Sequence, residues 1–121
     1  MSIRIDEALG VHTRALELRV QRNEILAANL ANEDTPGFQA RDIDFAGEMQ
    51  RLDRSAELNL FDAARDSDLH YRVPTQPAQD GNTVELSVEQ AEFSKNSMDF
   101  QTSLTFLTMQ FRGLKQAIEG R

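Results

Sequence analysis

The sequence predicts a mainly α protein, with two long helices at the chain ends pairing as an antiparallel coiled-coil-like hairpin around an irregular middle. Three observations carry this prediction. Apolar residues recur at seven-residue spacing in both terminal segments. Asn, Pro and Gly cluster where the first periodic run stops, in "NLANEDTPGF". Acidic residues crowd the interval between the helices: residues 33–87 hold twelve acidic and five basic side chains, against four of each in 1–32 and four of each in 88–121. The expected organisation is one structural unit in three parts: an N-terminal helix in 1–32, an acidic, partly flexible middle in 33–87 and a C-terminal helix in 88–121.

The first helix is expected over about 6–32, where no Pro occurs and Gly10 lies near the start. Leu9, Leu16, Asn23 and Leu30 repeat every seven residues, with Val20, Leu26 and Ala27 beside them, and form a seam suited to a partner helix. Val11, Leu18 and Ile25 repeat two residues out of phase, which at about 100° per residue puts them on nearly the opposite side. This helix is apolar on two faces.

At its end, Asn32 suits the left-handed geometry that closes a helix. Thr35 precedes a proline and is pushed out of helical angles. Pro36-Gly37 fits the two central positions of a type II turn, after which Phe38 can fold back as a plug.

The last helix carries the stronger pattern. Ser87-Val88-Glu89-Gln90 fits a capping box. Phe93, Phe100, Leu107 and Leu114 then share one heptad position, and Ser97, Leu104, Phe111 and Ile118 interleave. Lys115 and Arg121 lie in or near the final turns, where cations suit the helix dipole. Phe106 and Met109 fall outside the seam, with Gly113 nearby.

The middle is less strongly patterned. Phe45, Met49 and Leu52 at i, i+4, i+7 predict a short helix. Leu69, Tyr71 and Val73 alternate like a strand, as do residues 83–86, and "PTQPAQDGN" between them is loop by composition. A weak hairpin and disorder over much of 53–82 fit this composition equally well.

Composition excludes several functional classes. A chain of 121 residues has one domain's worth of core. It contains no cysteine, hence no disulfide, thiolate nucleophile or sulfur-ligated zinc. No apolar run reaches the roughly 20 residues of a membrane span, and "MSIRIDEALG" does not read as a cleavable signal peptide, so export would need another route. A net charge of −7 concentrated in the middle argues against nucleic acid. Neither His12 nor His70 is placed to activate a nucleophile, and no phosphate loop or metal-binding histidine spacing occurs. "DAARDSD" at 62–68 lacks the framework of a calcium loop. No catalytic residue, metal, cofactor or small-molecule substrate is expected.

What remains is surplus apolar surface. Pairing the helices along Leu9, Leu16, Leu26 and Leu30 with Phe93, Phe100, Leu104, Leu107, Phe111, Leu114 and Ile118 leaves Val11, Leu18, Ile25, Phe106 and Met109 uncovered. Either these residues meet neighbouring subunits or the middle folds back over them.

"ILAANLANEDTPGFQARDIDF" resembles the N-terminal signature of flagellar axial proteins. The run "ARDIDF" at 40–45, the small size and the tail "QTSLTFLTMQFRGLKQAIEGR" are similar to the basal-body rod proteins, nearest those of the proximal rod. Together these stretches cover about half the chain. Asn29, Ala31, Asn32, Thr35, Pro36 and Gly37 match the motif, continued by Phe38, Arg41 and Asp42. Ala28 stands where another Asn is frequent, Phe38 where Tyr is commoner and Gln39 where Lys is frequent.

The resemblance implies a non-enzymatic building block of the periplasmic rod, exported by the flagellum's type III apparatus without a cleavable signal. It implies ends loosely ordered before assembly that become paired helices within it. The implied partners are other copies of the chain, other rod proteins, the ring–rod adaptor and the membrane ring. Torque would pass through the assembled helices. A cytoplasmic coiled-coil adaptor or secretion chaperone is the competing reading, and a small hydrolase is a more distant one.

Overall fold

The computed structural model describes residues 5–57, 69–74 and 78–120, with the side chains of 5–8 and 52–57 outside that description. Two long helices, α1 (Ile5–Ala31) and α3 (Leu86–Glu119), run antiparallel. Their direction is fixed by cross-contacts that descend one helix while climbing the other: Asn29 with Glu89, Arg22 with Glu92, Arg19 with Asp99 and His12 with Phe106. Between them in sequence come β1 (Arg41–Ile43), α2 (Phe45–Glu57) and β2 (Leu69–Tyr71).

The turn after α1 has the expected chemistry. Phe38 N–H donates to Thr35 O at 3.2 Å, and Gly37 takes φ +73°, the left-handed angle a type II turn requires at its third residue. The chain then enters β1, which pairs antiparallel with β2 in the register Arg41↔Tyr71, Asp42↔His70 and Ile43↔Leu69.

A weak hairpin of the 69–73 and 83–86 runs is one of the two readings the middle allows; the sheet that forms pairs β2 with β1 instead. Residues 38–43 serve both neighbours. Thr83 N–H donates to Phe38 O (3.0 Å) and Thr83 Oγ1 accepts from Ala40 N–H (2.7 Å), while Ala40 O accepts from Arg72 N–H (2.8 Å). Two segments that each need an edge are satisfied by one stretch between them, with Ala40 and Ile43 buried beneath.

The short helix occurs as α2, preceded by Asp44, a residue type favoured at an N-cap. Helix α3 starts ahead of the anticipated capping box, with Glu85 at the cap position in extended geometry and no capping bond from its side chain. The physical reason lies upstream: Asn82 Oδ1 accepts from Val84 N–H at 2.8 Å, holding the chain extended until the first helical bond, Glu89 N–H to Glu85 O, can form. Gly120, at φ +70°, closes the helix by donating to Gln116 O.

Among the described residues, Leu18, Leu26, Ala40, Ile43 and Leu107 are the buried apolar members of the core, and as many polar ones are buried: Asn29, Glu48, Asn82, Glu89 and Asn96. No helix among the described residues is long and apolar enough to cross a membrane. The acidic run at 62–68 and much of the 53–82 interval lie outside the described residues.

Candidate subunit interface and its polar root

The family-type motif builds a polar lock where α1 ends. Asn29 is 1% exposed, and its amide treats Arg41 as a strand neighbour would. Its Nδ2 donates to Arg41 O (2.7 Å) and its Oδ1 accepts from Arg41 N–H (3.1 Å). An amide side chain alone offers a peptide-like donor and acceptor together, so aspartate would leave Arg41's carbonyl without its donor and leucine would leave both backbone groups unpaired. The remaining Nδ2 hydrogen goes to Glu89 Oε2 at 3.0 Å. Asn32 completes the helix end, donating to Ala28 O (2.7 Å) and accepting from Thr35 Oγ1 (3.1 Å).

Asn82 holds this loop from the far side. It is buried, and its Nδ2 faces three carbonyl oxygens, of Asn32 (3.0 Å), Glu33 (2.7 Å) and Thr35 (2.9 Å). Gly37 N–H donates to Asp80 O nearby. "DGN" at 80–82 read only as loop in the sequence, yet it clamps the Thr-Pro-Gly turn. Phe38, expected as a plug, is half-buried in this region, while Thr35, Pro36 and Gly37 are exposed.

Next to the lock runs a charge network joining four segments. Arg22 on α1 forks onto Asp42, Nε to Oδ1 at 2.9 Å and Nη2 to Oδ2 at 3.1 Å, and also reaches Glu92 Oε2 on α3 at 2.7 Å. Arg72 donates to Asp42 Oδ2 at 2.8 Å and places Nε 2.8 Å from Glu89 Oε1, although that N–H points off line. Burial alone would raise the Asp42 pKa, but hydrogen bonds from Arg22 and from Ile43 N–H, with the charges of both arginines, outweigh it and hold the carboxyl below its ordinary value. Arg22 is pushed upward, chiefly by its hydrogen bond to Asp42 and against its own burial, with Glu92 adding to the rise. Arg41 itself is exposed, its guanidinium carbon 5.4 Å from the Tyr71 ring centre.

The helix pair is therefore not closed by the apolar seam alone. On α3 the inward positions include Glu89, Asn96, Ser103 and Gln110, a polar heptad repeat of buried or half-buried residues. Phe93, Phe100, Leu107 and Leu114 flank it, with Leu107 buried and the others half-buried. Asn96 Nδ2 donates to Arg19 O (2.8 Å), and Arg19 in turn reaches Asp99 at 3.3 Å and lies 4.1 Å over the Phe45 ring of α2. Polar residues on a helix seam cost stability but fix register, because only one alignment satisfies them.

On α1, Leu26 is fully buried, and Leu9, Leu16 and Leu30 are half-buried. The outer set divides. Val11 is half exposed, but Leu18 is only 5% exposed and Ile25 is half-buried. Leu18 therefore corrects the two-face reading. Helix α1 is covered by α3, β1 and α2 together, so it buries a stripe wider than a heptad seam.

Exposed apolar surface collects instead on the distal half of α3. Leu104, Phe111 and Ile118 belong to the expected seam yet are 46%, 52% and 79% exposed. Phe106 and Met109 are also exposed, with His12 of α1 5.1 Å from the Phe106 ring. For Ile118, the most exposed of them, the reason is arithmetic: α3 has 34 residues and α1 has 27, and partners pair with numbers summing to near 118, so Ile118 lies beyond the described start of α1, while Phe111 lies opposite its first described turn. Along the pair's flank an open groove of about 530 Å³ is lined by Val20, Asn23, Ala27, Phe93, Phe100 and Leu104 among others.

Each carboxylate in the polar root is committed to an arginine, and no metal-holding cluster occurs among the described residues. The arrangement is that of a structural subunit: a register-locked antiparallel helix pair carrying an uncovered apolar end. The chain belongs to the family of flagellar basal-body rod proteins. The family's model, described as flagella basal body rod protein, matches residues 9–39, a span from the first described turns of α1 through the Thr-Pro-Gly turn. The chain is 43% identical to the flagellar basal body rod protein FlgB of Yersinia ruckeri, over 96% of each chain. It is 44% identical to that of Salmonella typhimurium over 97% of this chain and 96% of the relative. The corresponding protein of Escherichia coli K12 is 39% identical over 96% of each. These relatives are structural rod proteins, not enzymes.

Proposed function

We propose that this chain is a structural subunit of the proximal rod of the flagellar basal body, polymerising through its terminal helices. It would join the membrane ring to the rest of the rod and pass torque along it. The observation that carries the reading is the uncovered apolar end of α3, with Leu104, Phe106, Met109, Phe111 and Ile118 between 46% and 79% exposed on one helix. A solitary soluble chain seldom leaves so much large apolar surface open. Each such side chain covered by a neighbour contributes roughly 1.5–3 kcal/mol, so a few per contact offset the cost of ordering an interface. A head-to-tail contact that does not close on itself extends into a helical tube. Partners on this reading are further copies, other rod proteins, the ring–rod adaptor and the membrane ring, reached through the flagellar type III export apparatus, with assembly in the periplasm.

The test is copurification of the tagged chain with detergent-extracted basal bodies through a high-salt wash, for the wild type and for Phe106→Asp and Met109→Asp. The wild type is expected to remain at a few copies per particle. The variants should be folded and soluble but absent from the particles. A wild type found only as a discrete cytoplasmic dimer would overturn the proposal in favour of an adaptor or chaperone. Variants that incorporate normally and support swimming would move the interface elsewhere.

A further inference from the structure

Strand β2 has little apolar hold on the molecule. Leu69, Tyr71 and Val73 share one face of the extended segment, and that face is turned outward, at 45%, 61% and 87% exposed. Among the described residues β2 pairs with β1 alone, in a two-stranded sheet. What carries it to the helix pair is Arg72, the next residue. Its backbone N–H donates to Ala40 O at 2.8 Å, Nη2 donates to Asp42 Oδ2 at 2.8 Å, and Nε stands 2.8 Å from Glu89 Oε1.

Glu89 is the other half of the contact. It is fully buried on the first turns of α3, and Asn29 gives its second oxygen one hydrogen bond but no charge. The cation paired with it among the described residues is Arg72. A carboxylate removed from water needs such a counter-charge, and one left without it opposes burial strongly. The helix pair cannot seal around Glu89, where α1 ends and α3 begins, unless the β segment has delivered its arginine.

We propose that Arg72 is a clasp that makes closure of the helix root conditional on docking of the β arm. The arm (Arg41–Ile43 and 69–74) and the root around Asn29 and Glu89 then form and open as one unit. The distal halves of α1 and α3 lie outside that unit, since the charges linked to Arg72 through Asp42 and Arg22 reach no farther along α3 than Glu92, and Arg19 with Asp99 forms a separate pair. The clasp also holds the outward row of Leu69, Tyr71 and Val73 at a fixed angle to the helix axis.

The test is native-state amide exchange on the full chain, read by mass spectrometry, for the wild type, Arg72→Met and Arg72→Met/Glu89→Gln. Arg72→Met orphans a buried charge. Amides of 69–74 and of 86–96 should both exchange faster, by roughly tenfold to hundredfold, a range below that of a wholly buried pair because Arg72 is 18% exposed. Amides of 104–119 should not change. Adding Glu89→Gln removes the orphaned charge and keeps an acceptor for Asn29, so protection of 86–96 should recover while 69–74 stays fast. That split is what a merely structural arginine would not give. Unchanged exchange at 86–96 in Arg72→Met, or no recovery in the double variant, would overturn the clasp. Should Arg72→Met fail to fold, rescue of folding by Glu89→Gln supports the proposal and absence of rescue overturns it.

Discussion

Replacing Asn82 tests whether the Thr-Pro-Gly turn is held from outside itself. The Asn82 amide has two hydrogens facing three carbonyl oxygens at 2.7–3.0 Å, and its own oxygen accepts from Val84 N–H at 2.8 Å. Two donors shared among three acceptors plus one accepted bond amount to about three net hydrogen bonds, each contributing roughly 0.5–1.5 kcal/mol. Glu33 and Thr35 are exposed residues, so water can reach part of what alanine vacates. Asn82→Ala is therefore expected near the lower end, a loss of about 2 kcal/mol, or roughly 6–10 °C in Tm for a chain of this size. Asn82→Asp keeps the oxygen for Val84 but turns a second oxygen, with a negative charge, toward three carbonyls in a site 5% exposed. It should cost more than alanine, about 3 kcal/mol or above. Urea unfolding followed by circular dichroism measures both, compared by midpoint at constant slope. An aspartate variant as stable as the alanine one would refute the three-carbonyl geometry. An alanine variant within about 0.5 kcal/mol of wild type would show the clamp to be incidental.

Leu18→Asp, a substitution that suits an outer-face residue, should instead unfold or severely destabilise the isolated chain, by about 3 kcal/mol or more, because Leu18 is 5% exposed; a soluble variant of wild-type midpoint would return Leu18 to the surface. Acid should weaken the root through Asp42. Its folded pKa lies below the ordinary 3.8, so its contribution is complete above that value and is lost as pH falls through the folded pKa. Urea midpoints should therefore fall more steeply below about pH 4 for the wild type than for Asp42→Asn, and parallel profiles would contradict the assignment.

The helices and the turn were legible because their signals are local. Period-seven apolar spacing requires no knowledge of a partner, and Pro36-Gly37 specifies its turn from two residues. The partner of β2 was not legible. A three-residue strand carries little pattern, and residues 83–86 alternate as well as Arg41–Ile43 do; the choice was made by Asn29, whose amide pairs with Arg41. Glu89 did not stand out inside the expected capping box, whose bonding residues are Ser87 and Gln90, because an acid in a first helical turn is usually solvated; the structure buries it beside Arg72 from another segment. The repeat Glu89, Asn96, Ser103 and Gln110 was visible as spacing, but a search for apolar periodicity passes over a polar heptad. Leu18 was misplaced for the opposite reason: the seam was drawn for one partner helix, and α1 has three neighbours.

The two halves of the helix pair divide the physical tasks of a subunit that must join others without joining them prematurely or out of register. Polar contacts are poor adhesives in water, since each one formed replaces a contact with solvent, but they penalise misalignment heavily when buried. They lie at the root, where Asn29, Arg22, Arg72 and Glu89 accept one alignment of four segments. Apolar contacts reward burial and discriminate weakly between alignments. They are left open at the distal end, where Phe111 faces the first described turn of α1 and Ile118 runs past it. On the rod-subunit proposal, the root sets the angle at which the sticky end is offered, and the sticky end supplies the cohesion. Weakening the root should therefore yield subunits that still adhere but stack irregularly, whereas charging the distal face should yield well-folded subunits that do not adhere. Electron micrographs of basal bodies carrying Arg72→Met beside those carrying Phe106→Asp would separate the two. Identical defects in both would mean that orientation and cohesion are not divided between the two ends.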